Sequence, residues 1–306
     1  MSGACPVCGG ADAKPWAIAH DVEYRTSDDA FAYVRCDACD AVYLEDPPVD
    51  RLAQIYPANY YSYATEKAGL VARVKAKLDA RLLNRLLAGP PAPSIAALDV
   101  GGGDGVLLSQ LRALDQRVAH TQVVDHDPST KSRAVAAGHD YFCGRIEDFV
   151  ADRPFDLIIL LNLIEHVALP GAVLERVREA LAPGGVVLVK TPNVDSLDAR
   201  LFRHRDWGGY HCPRHWVLFN RANLTGLAER SGLRVRRFSY TQGAPFWTVS
   251  VLAALARRRL ARVTPERPMV EHPLFPVLNG IFAGFDLARS PFGGHPSQMF
   301  LELESA

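Results

Sequence analysis

The sequence predicts an α/β fold, a parallel sheet covered by helices on both faces, preceded by a small metal-binding head. Three observations point there. From Ile95 onward, short apolar runs alternate with helical patterns, the order that builds a parallel sheet from crossover units. One of those runs, Leu157–Leu161, is apolar throughout, as a strand buried on both faces must be. Ahead of this region, Cys5-Pro-Val-Cys8 and Cys36-Asp-Ala-Cys39 form two C-x-x-C pairs, a spacing that aims four thiolates at one cation.

The elements follow in chain order. The head occupies residues 1–46 and ends before Asp46-Pro47-Pro48, where two prolines break any regular element. Four thiolates complete a tetrahedral shell with no open position, so the expected Zn²⁺ is structural and the head is zinc-ribbon-like. Residues 47–94 form a helical linker: Leu70, Val74, Leu78, Leu82 and Leu86 recur at every fourth position and predict a helix over Lys67–Ala88. Residues 95–240 form the sheet domain. Strands are expected at Ile95–Val100, Val118–Val124, His139–Cys143, Phe155–Leu161 and Val186–Lys190, with helices at Gly105–Asp115, Pro128–Gly138 and Leu169–Leu181. Asn220 caps a helix that Gly232 stops, and Leu233–Tyr240 reads as a strand. Residues 241–306 hold a proline-rich insertion with two helices, then a terminal strand over Gln298–Glu304.

Charge narrows the partners. The chain has 306 residues, with 34 basic and 34 acidic side chains. Within residues 1–50, ten acids face three bases, an acidic head unsuited to clamping nucleic acid, so none is expected as a partner. The first residues, MSGACPVCGG, show no leader pattern and no run is long enough for a membrane span. Six cysteines, four of them in C-x-x-C pairs, suit a reducing compartment, and a cytoplasmic location is expected. Cys143 and Cys212 read as buried thiols. The apolar segment Trp247–Val263, capped by Arg257-Arg258-Arg259, offers a surface for peripheral contact with an anionic membrane. Nothing in the sequence sets the oligomeric state.

The chemistry starts at Asp99-Val100-Gly101-Gly102-Gly103-Asp104-Gly105, a glycine-rich turn between the first sheet strand and its helix. Glycines let the backbone approach a ligand at a helix N-terminus. Asp125 closes the next strand, 20 residues after Gly105, where a carboxylate accepts hydrogen bonds from both hydroxyls of a ribose.

The ordered set LDVGGGDG, VVDHDPS, GRIEDF, FDLIILLNLIEHV, LAPGGVVLVKTPN and PRHWVLFNRANLTGLAERSGL resembles the class I S-adenosylmethionine-dependent methyltransferases. The resemblance spans about residues 1–240 and is strongest to bacterial small-molecule enzymes with an N-terminal zinc-binding head. It implies a Rossmann-like sheet of seven strands whose last strand is antiparallel. It also implies that Asp99, Gly101, Gly103 and Gly105 border the methionine part of the cofactor, with Asp125 at the ribose. Ile146 and Glu147 would then lie at the adenine, and Asn162 and Leu163 beside the sulfonium.

Methyl transfer needs an oriented acceptor and, for a hydroxyl, a base. His166 follows the fourth sheet strand at the ligand crevice and is the first candidate base, with His211 and His215 as the others. Arg214 is a candidate for holding an anionic group of the acceptor. Tyr56, Tyr60, Tyr61 and Tyr63 precede the sheet domain and are expected to close over the cofactor, with Tyr61 touching the acceptor. The reading is an S-adenosylmethionine-dependent O-methyltransferase of a small molecule, a sugar (polysaccharide or nucleotide-sugar) or secondary-metabolite hydroxyl. C- or N-methylation of a deoxysugar, and rRNA or tRNA methylation with a zinc module, are the alternatives.

Overall fold

A computed structural model describes residues 4–57, 60, 80–90, 92–290 and 293–306. The expected strands and helices form around one seven-stranded sheet. Its strands are β4 (Ile95–Val100), β5 (Val118–Asp125), β6 (Asp140–Cys143), β7 (Phe155–Leu161), β8 (Leu181–Pro192), β10 (Leu233–Thr241) and β11 (Gln298–Ser305). They lie in the order β10-β11-β8-β7-β4-β5-β6. All neighbours are parallel except β11, which runs antiparallel to both β8 and β10. The chain leaves β4 for β5 and β6 on one side, then crosses to β7 on the other. Such a switch point opens a crevice at the carboxyl ends of β4 and β7.

Period-two alternation divides the core between the two faces of the sheet. On one face Ala96, Leu98, Val100, Ile158 and Leu160 pack with α5 (Pro170–Ala180) and α7 (Arg221–Arg230). On the other, Ile95, Ala97, Leu157 and Ile159 meet Leu108 and Leu111 of α3 (Val106–Leu114) and Ala134 of α4 (Pro128–Ala136). Leu83, Leu86 and Leu87 also pack on this second face, from α2, which is helical over 80–87. The remaining part of the helix expected over Lys67–Ala88, with Tyr61 and Tyr63, lies outside the described residues.

The head packs on the first face. Its strands β1 (Ala13–Ala19), β2 (Phe31–Cys36) and β3 (Val42–Leu44) form an antiparallel sheet. The fourth strand of that sheet is β9 (Val217–Leu218), from far along the chain, whose Leu218 and Val217 pair with Val42 and Tyr43. Asn193 at the end of β8 bridges to Phe219 beside β9. The head is therefore stitched to the main sheet by backbone hydrogen bonds through the segment between β8 and α7.

One ion pair completes that joint. Arg214 is fully buried, and its Nη1 and Nη2 donate to the Asp21 carboxylate at 3.2 and 3.0 Å. Nε donates to the carbonyl of Ile55, which ends the short helix α1 (Leu52–Ile55), at 2.6 Å. The other donors reach the Cys212 carbonyl at 3.0 Å and the Thr26 hydroxyl at 3.5 Å. The guanidinium also lies 4.6 Å from the ring centroid of Tyr24. Burial alone would raise the Asp21 carboxyl, but Arg214 and the hydrogen bonds from Thr26 together outweigh it and hold Asp21 below the usual carboxylate range.

The insertion forms α8 (Ala244–Arg257) and α9 (Phe275–Arg289). The surface read from Trp247–Val263 is corrected here. Trp247, Val249, Leu252, Ala253 and Val263 are buried, and Trp247 stacks on Phe282 of α9 at 5.2 Å. The apolar face of α8 is thus spent inside the molecule, and Arg257 is paired with Asp206. Among the described residues no helix is long and apolar enough to cross a membrane.

Removing one partner of a buried pair strands the other charge. Asp21→Ala should therefore lower unfolding stability by about 3–5 kcal/mol in a urea titration; a loss within experimental error would remove the pair from the account. A carboxyl held low stabilises above its ordinary value of about 3.9 and loses that contribution as pH falls through its folded value. Acid should accordingly narrow the gap between wild type and Asp21→Ala.

Candidate functional site

In the head, each C-x-x-C pair is shaped by a tight turn. Gly9, at φ +76°, donates to the Cys5 carbonyl at 2.8 Å, and Asp40, at φ +60°, donates to the Cys36 carbonyl at 3.0 Å. The turns bring the four sulfurs of Cys5, Cys8, Cys36 and Cys39 within 4.8 Å of one another. The closest pairs are Cys5–Cys39 at 3.7 Å and Cys8–Cys36 at 3.6 Å. A tetrahedral ion with bonds of about 2.3 Å to sulfur has edges of about 3.8 Å, so the cluster fits a metal ion with little movement. A Cβ at Gly10 would lie 3.3 Å from the Cys8 sulfur, which explains a glycine at that point. Cys212 is buried as expected; Cys143 is not, because the short edge strand β6 leaves its thiol exposed.

The glycine turn sits at the carboxyl end of β4. Gly101, Gly103 and Gly105 all have positive φ, and Gly105 is the N-cap of α3. A Cβ at Gly102 would lie 2.7 Å from the Asp99 carboxyl, so the backbone here wraps closely around that side chain. Burial, with Asp125 close by, raises Asp99 to about 7. Asp125 accepts from the Gly103 amide and the Asp127 amide, both at 2.9 Å, tying the end of β5 to the turn. Leu163 closes the other side: a Cβ on Gly101 would stand 3.0 Å from its Cδ1. Asn162, at φ +51°, turns the chain out of β7 while its side chain accepts from Gln298 at 3.3 Å. Ile146 is buried in the core beneath β6, and Glu147 is half-buried in the same 3₁₀ turn, Ile146–Asp148. The predicted cofactor residues thus gather along the ends of β4, β5, β6 and β7.

Beside this crevice the three candidate histidines converge. His166 and His215 have ring centroids 4.6 Å apart, His211 and His215 5.0 Å, and His166 and His211 6.2 Å. His166 comes from the 3₁₀ turn after β7, whereas His211 and His215 come from the loop before β9. That loop is tightly fixed. A Cβ at Gly208 would collide with the Phe246 carbonyl at 2.4 Å, and the Gly208 amide donates to the Ser250 hydroxyl at 2.9 Å. His211 itself sits at φ +37°, a conformation few side-chain-bearing residues adopt and one that clusters at functional sites.

Each histidine is oriented by a partner. Glu23 Oε1 lies 2.8 Å from His211 Nδ1, and the Tyr60 hydroxyl 2.9 Å from its Nε2. The Tyr56 hydroxyl lies 3.0 Å from His166 Nδ1, and His215 Nδ1 donates to the Gly209 carbonyl at 2.8 Å. Burial, reinforced by the neighbouring His211, pushes His166 down to about 3; burial also holds His215 well below its usual value. Glu165, wholly buried beside them, is raised to about 8 by the same cause. Burial thus keeps Glu165, His166 and His215 in their uncharged forms.

Arg214 does not serve an acceptor. All five of its N–H donors are engaged by Asp21, Ile55, Cys212 and Thr26, so it fastens the site rather than lining it. Tyr61 lies outside the described residues. Sequence reasoning singled out neither Glu23 nor Glu165 as a site residue, and only the crowding of tyrosines around Tyr56 and Tyr60 hinted at the aromatic wall.

A family model described as a methyltransferase domain matches residues 71–237, more than half of the chain. The chain belongs to that family. The ubiquinone biosynthesis O-methyltransferase of Bradyrhizobium sp. (strain ORS 278) is 36% identical over 104 residues, 31% of this chain and 39% of that protein. The protein of the same name from Parvibaculum lavamentivorans (strain DS-1) is 29% identical over 188 residues, 56% of this chain and 71% of that one. The chain thus spans about two fifths of the length of the first such relatives it matches. Among solved structures, a coclaurine N-methyltransferase bound to N-methylheliamine and S-adenosylhomocysteine superposes with a TM-score of 0.51 at 15% identity. That match covers 84% of this chain and 81% of the other. A sarcosine dimethylglycine methyltransferase from Galdieria sulphuraria, so described provisionally, gives 0.51 at 15%, over 76% and 87%. These likenesses show a shared fold. In this methyltransferase, the glycine turn and the end of β5 border the crevice at the carboxyl ends of the sheet strands.

Losing one thiolate opens the shell of the head. Purified Cys36→Ser should carry one equivalent less tightly bound metal than wild type by elemental analysis. Undiminished metal in that variant would show that the four sulfurs do not share an ion.

Proposed function

We propose that this methyltransferase transfers a methyl group from S-adenosylmethionine to a hydroxyl of a ring-shaped small molecule. The observation that carries the oxygen assignment is the pairing of His211 with Glu23. A carboxylate on one imidazole nitrogen orients the ring and stabilises the imidazolium that forms when the other nitrogen takes a proton. Bound S-adenosylmethionine supplies a methyl group on a sulfonium, and the electron pair of the broken C–S bond stays on sulfur. The Tyr60 hydroxyl hands its proton to His211 Nε2 as the Tyr60 oxygen takes the proton of the acceptor hydroxyl, and the acceptor oxygen forms the new bond to the methyl carbon. The three candidate bases divide accordingly: His211 takes the proton, while His166 and His215 shape the floor on which the acceptor is held.

Half-buried Tyr56 lies on the facing side with its ring centroid 5.1 Å from that of Tyr60, and Tyr24 backs Tyr60 at 5.4 Å. An aromatic side of this kind suits a flat or ring acceptor. A sugar hydroxyl and a phenolic hydroxyl, as the printed name of the ubiquinone-pathway relatives suggests, both fit this class. Asp99, Gly101, Gly103, Gly105, Leu163 and Asn162 hold the methionine part of the cofactor in this reading. Asp125 takes the ribose, and Ile146 and Glu147 the adenine. Zn²⁺ is the ion we assign to the head, where it is structural. The acidic balance of residues 1–50 supports a small-molecule acceptor over RNA.

His211→Gln should reduce turnover about 10²- to 10⁴-fold, with S-adenosylmethionine affinity by calorimetry unchanged. Glu23→Gln should lie between that variant and wild type. Wild-type turnover in His211→Gln would remove the base from this position.

A further inference from the structure

We propose that a cavity between the head and the helix after β8 binds a small phosphorylated, hydroxyl-bearing molecule of the sugar-phosphate class. The cavity measures about 370 Å³ and is lined by Trp16, Arg35, Val194, Asp195, Arg200 and Arg203. That volume lies in the small-molecule range of roughly 300–1,000 Å³. None of its lining residues belongs to the cysteine cluster, the glycine turn or the histidine group.

Local structure builds this cavity. Strand β1 bulges between Pro15 and Ala17 where it pairs with β2, and Trp16 is the extra residue. A bulge re-aims a side chain. The guanidinium carbons of Arg35, from β2, and of Arg203 lie 5.3 and 4.5 Å from the Trp16 ring centroid. Stacking on the indole orients both groups. Helix α6 (Leu197–Phe202) carries Arg200, and Arg203 is its C-cap, three residues on and on the same face. Hydrogen bonds pin both ends of α6. Ser196, its N-cap, accepts from the Ala199 amide at 3.3 Å, and the Arg203 carbonyl accepts from the Tyr210 hydroxyl at 3.1 Å.

The charges in the cavity are not spent within the protein. Elsewhere Arg85 pairs with Glu302, Arg234 with Glu304 and Arg257 with Asp206. Among the described residues the Arg200 guanidinium meets no acceptor, and that of Arg203 donates only from Nε, to His204 at 3.0 Å. Arg35 is paired with Asp40 at 2.8 Å. Asp195 lines the same space, yet among the described residues it forms no ion pair with any of the three arginines. A surplus of positive charge therefore faces an enclosed volume. Unused N–H donors on two neighbouring arginines match the oxygens of a phosphoryl group. Asp195 repels that group and so meets the other end of the ligand, where a carboxylate accepts from hydroxyls. Val194 and Trp16 offer apolar surface to the ring between.

The test is a calorimetric titration of the full chain, with excess S-adenosylhomocysteine present, using glucose 1-phosphate and, separately, sodium phosphate. One equivalent of glucose 1-phosphate should bind, at least tenfold more tightly than phosphate. Arg200→Gln and Arg203→Gln should each weaken it at least tenfold, with the melting temperature reporting a folded chain. Arg258→Gln, at an exposed arginine away from the cavity, should leave it unchanged. Asp195→Asn should weaken glucose 1-phosphate without weakening phosphate. No saturable binding in wild type, undiminished affinity in Arg200→Gln, or an equal loss in Arg258→Gln would overturn the site. Phosphate binding as tightly as glucose 1-phosphate would show an adventitious ion only and overturn it too. No turnover enters the readout, so the site stands or falls apart from the methyl-transfer reading.

Discussion

A fully buried guanidinium keeps the two sides of the site in register. Arg214 belongs to the loop that carries His211 and His215, yet its hydrogen bonds go to Asp21 and Thr26 of the head and to the end of α1. Two residues beyond Asp21 stands Glu23, the partner of His211; just after Ile55 stands Tyr56, the partner of His166. One side chain thus fixes the origins of both elements that orient the histidines. A lysine would not replace it, because five donors in a planar fork are needed to satisfy four partner residues at once.

The head does more than gather four cysteines. Its sheet takes its last strand, β9, from the segment that follows the histidine loop. The four clustered cysteines lie at the far end of that sheet, and the ion pair clamps the near end. Between them the histidine loop has little freedom, which is how His211 can persist at positive φ. Helices α8 and α9 contribute from the outside: Met269 donates to the Glu23 carbonyl at 3.1 Å, and Val22 packs into their shared apolar cluster. The insertion that reads as an appendage in the sequence therefore braces the segment carrying the carboxylate.

The sheet was legible because its signals are local. Apolar runs such as Ile95–Val100 and Phe155–Leu161, glycine at positive φ after β4, and Asn220 as a helix cap each declare themselves within a few residues. The cysteine cluster was legible for the same reason, since each knuckle is four residues long. The acceptor side was legible only in part. His166, His211 and His215 stood out as residue types, but their partners Glu23, Tyr56 and Tyr60 lie between 110 and 188 residues away. No periodicity encodes such pairings. Arg214 was misread for a related reason: an arginine beside histidines looks like an anion site until its five donors are counted against a buried aspartate. The contribution of β9 to the head sheet was likewise invisible, because two residues make no pattern.

The central claim is that the crevice between head and sheet deprotonates a hydroxyl and methylates its oxygen. The most direct measurement uses S-adenosylmethionine carrying a deuterated methyl group and a pool of small hydroxylated sugars and phenols, with the labelled product identified by mass spectrometry and NMR. The account predicts a deuterated methyl ether, formed by wild type and strongly diminished in His211→Gln. A deuterated methyl group on nitrogen or carbon, or label found only in added RNA, would contradict it.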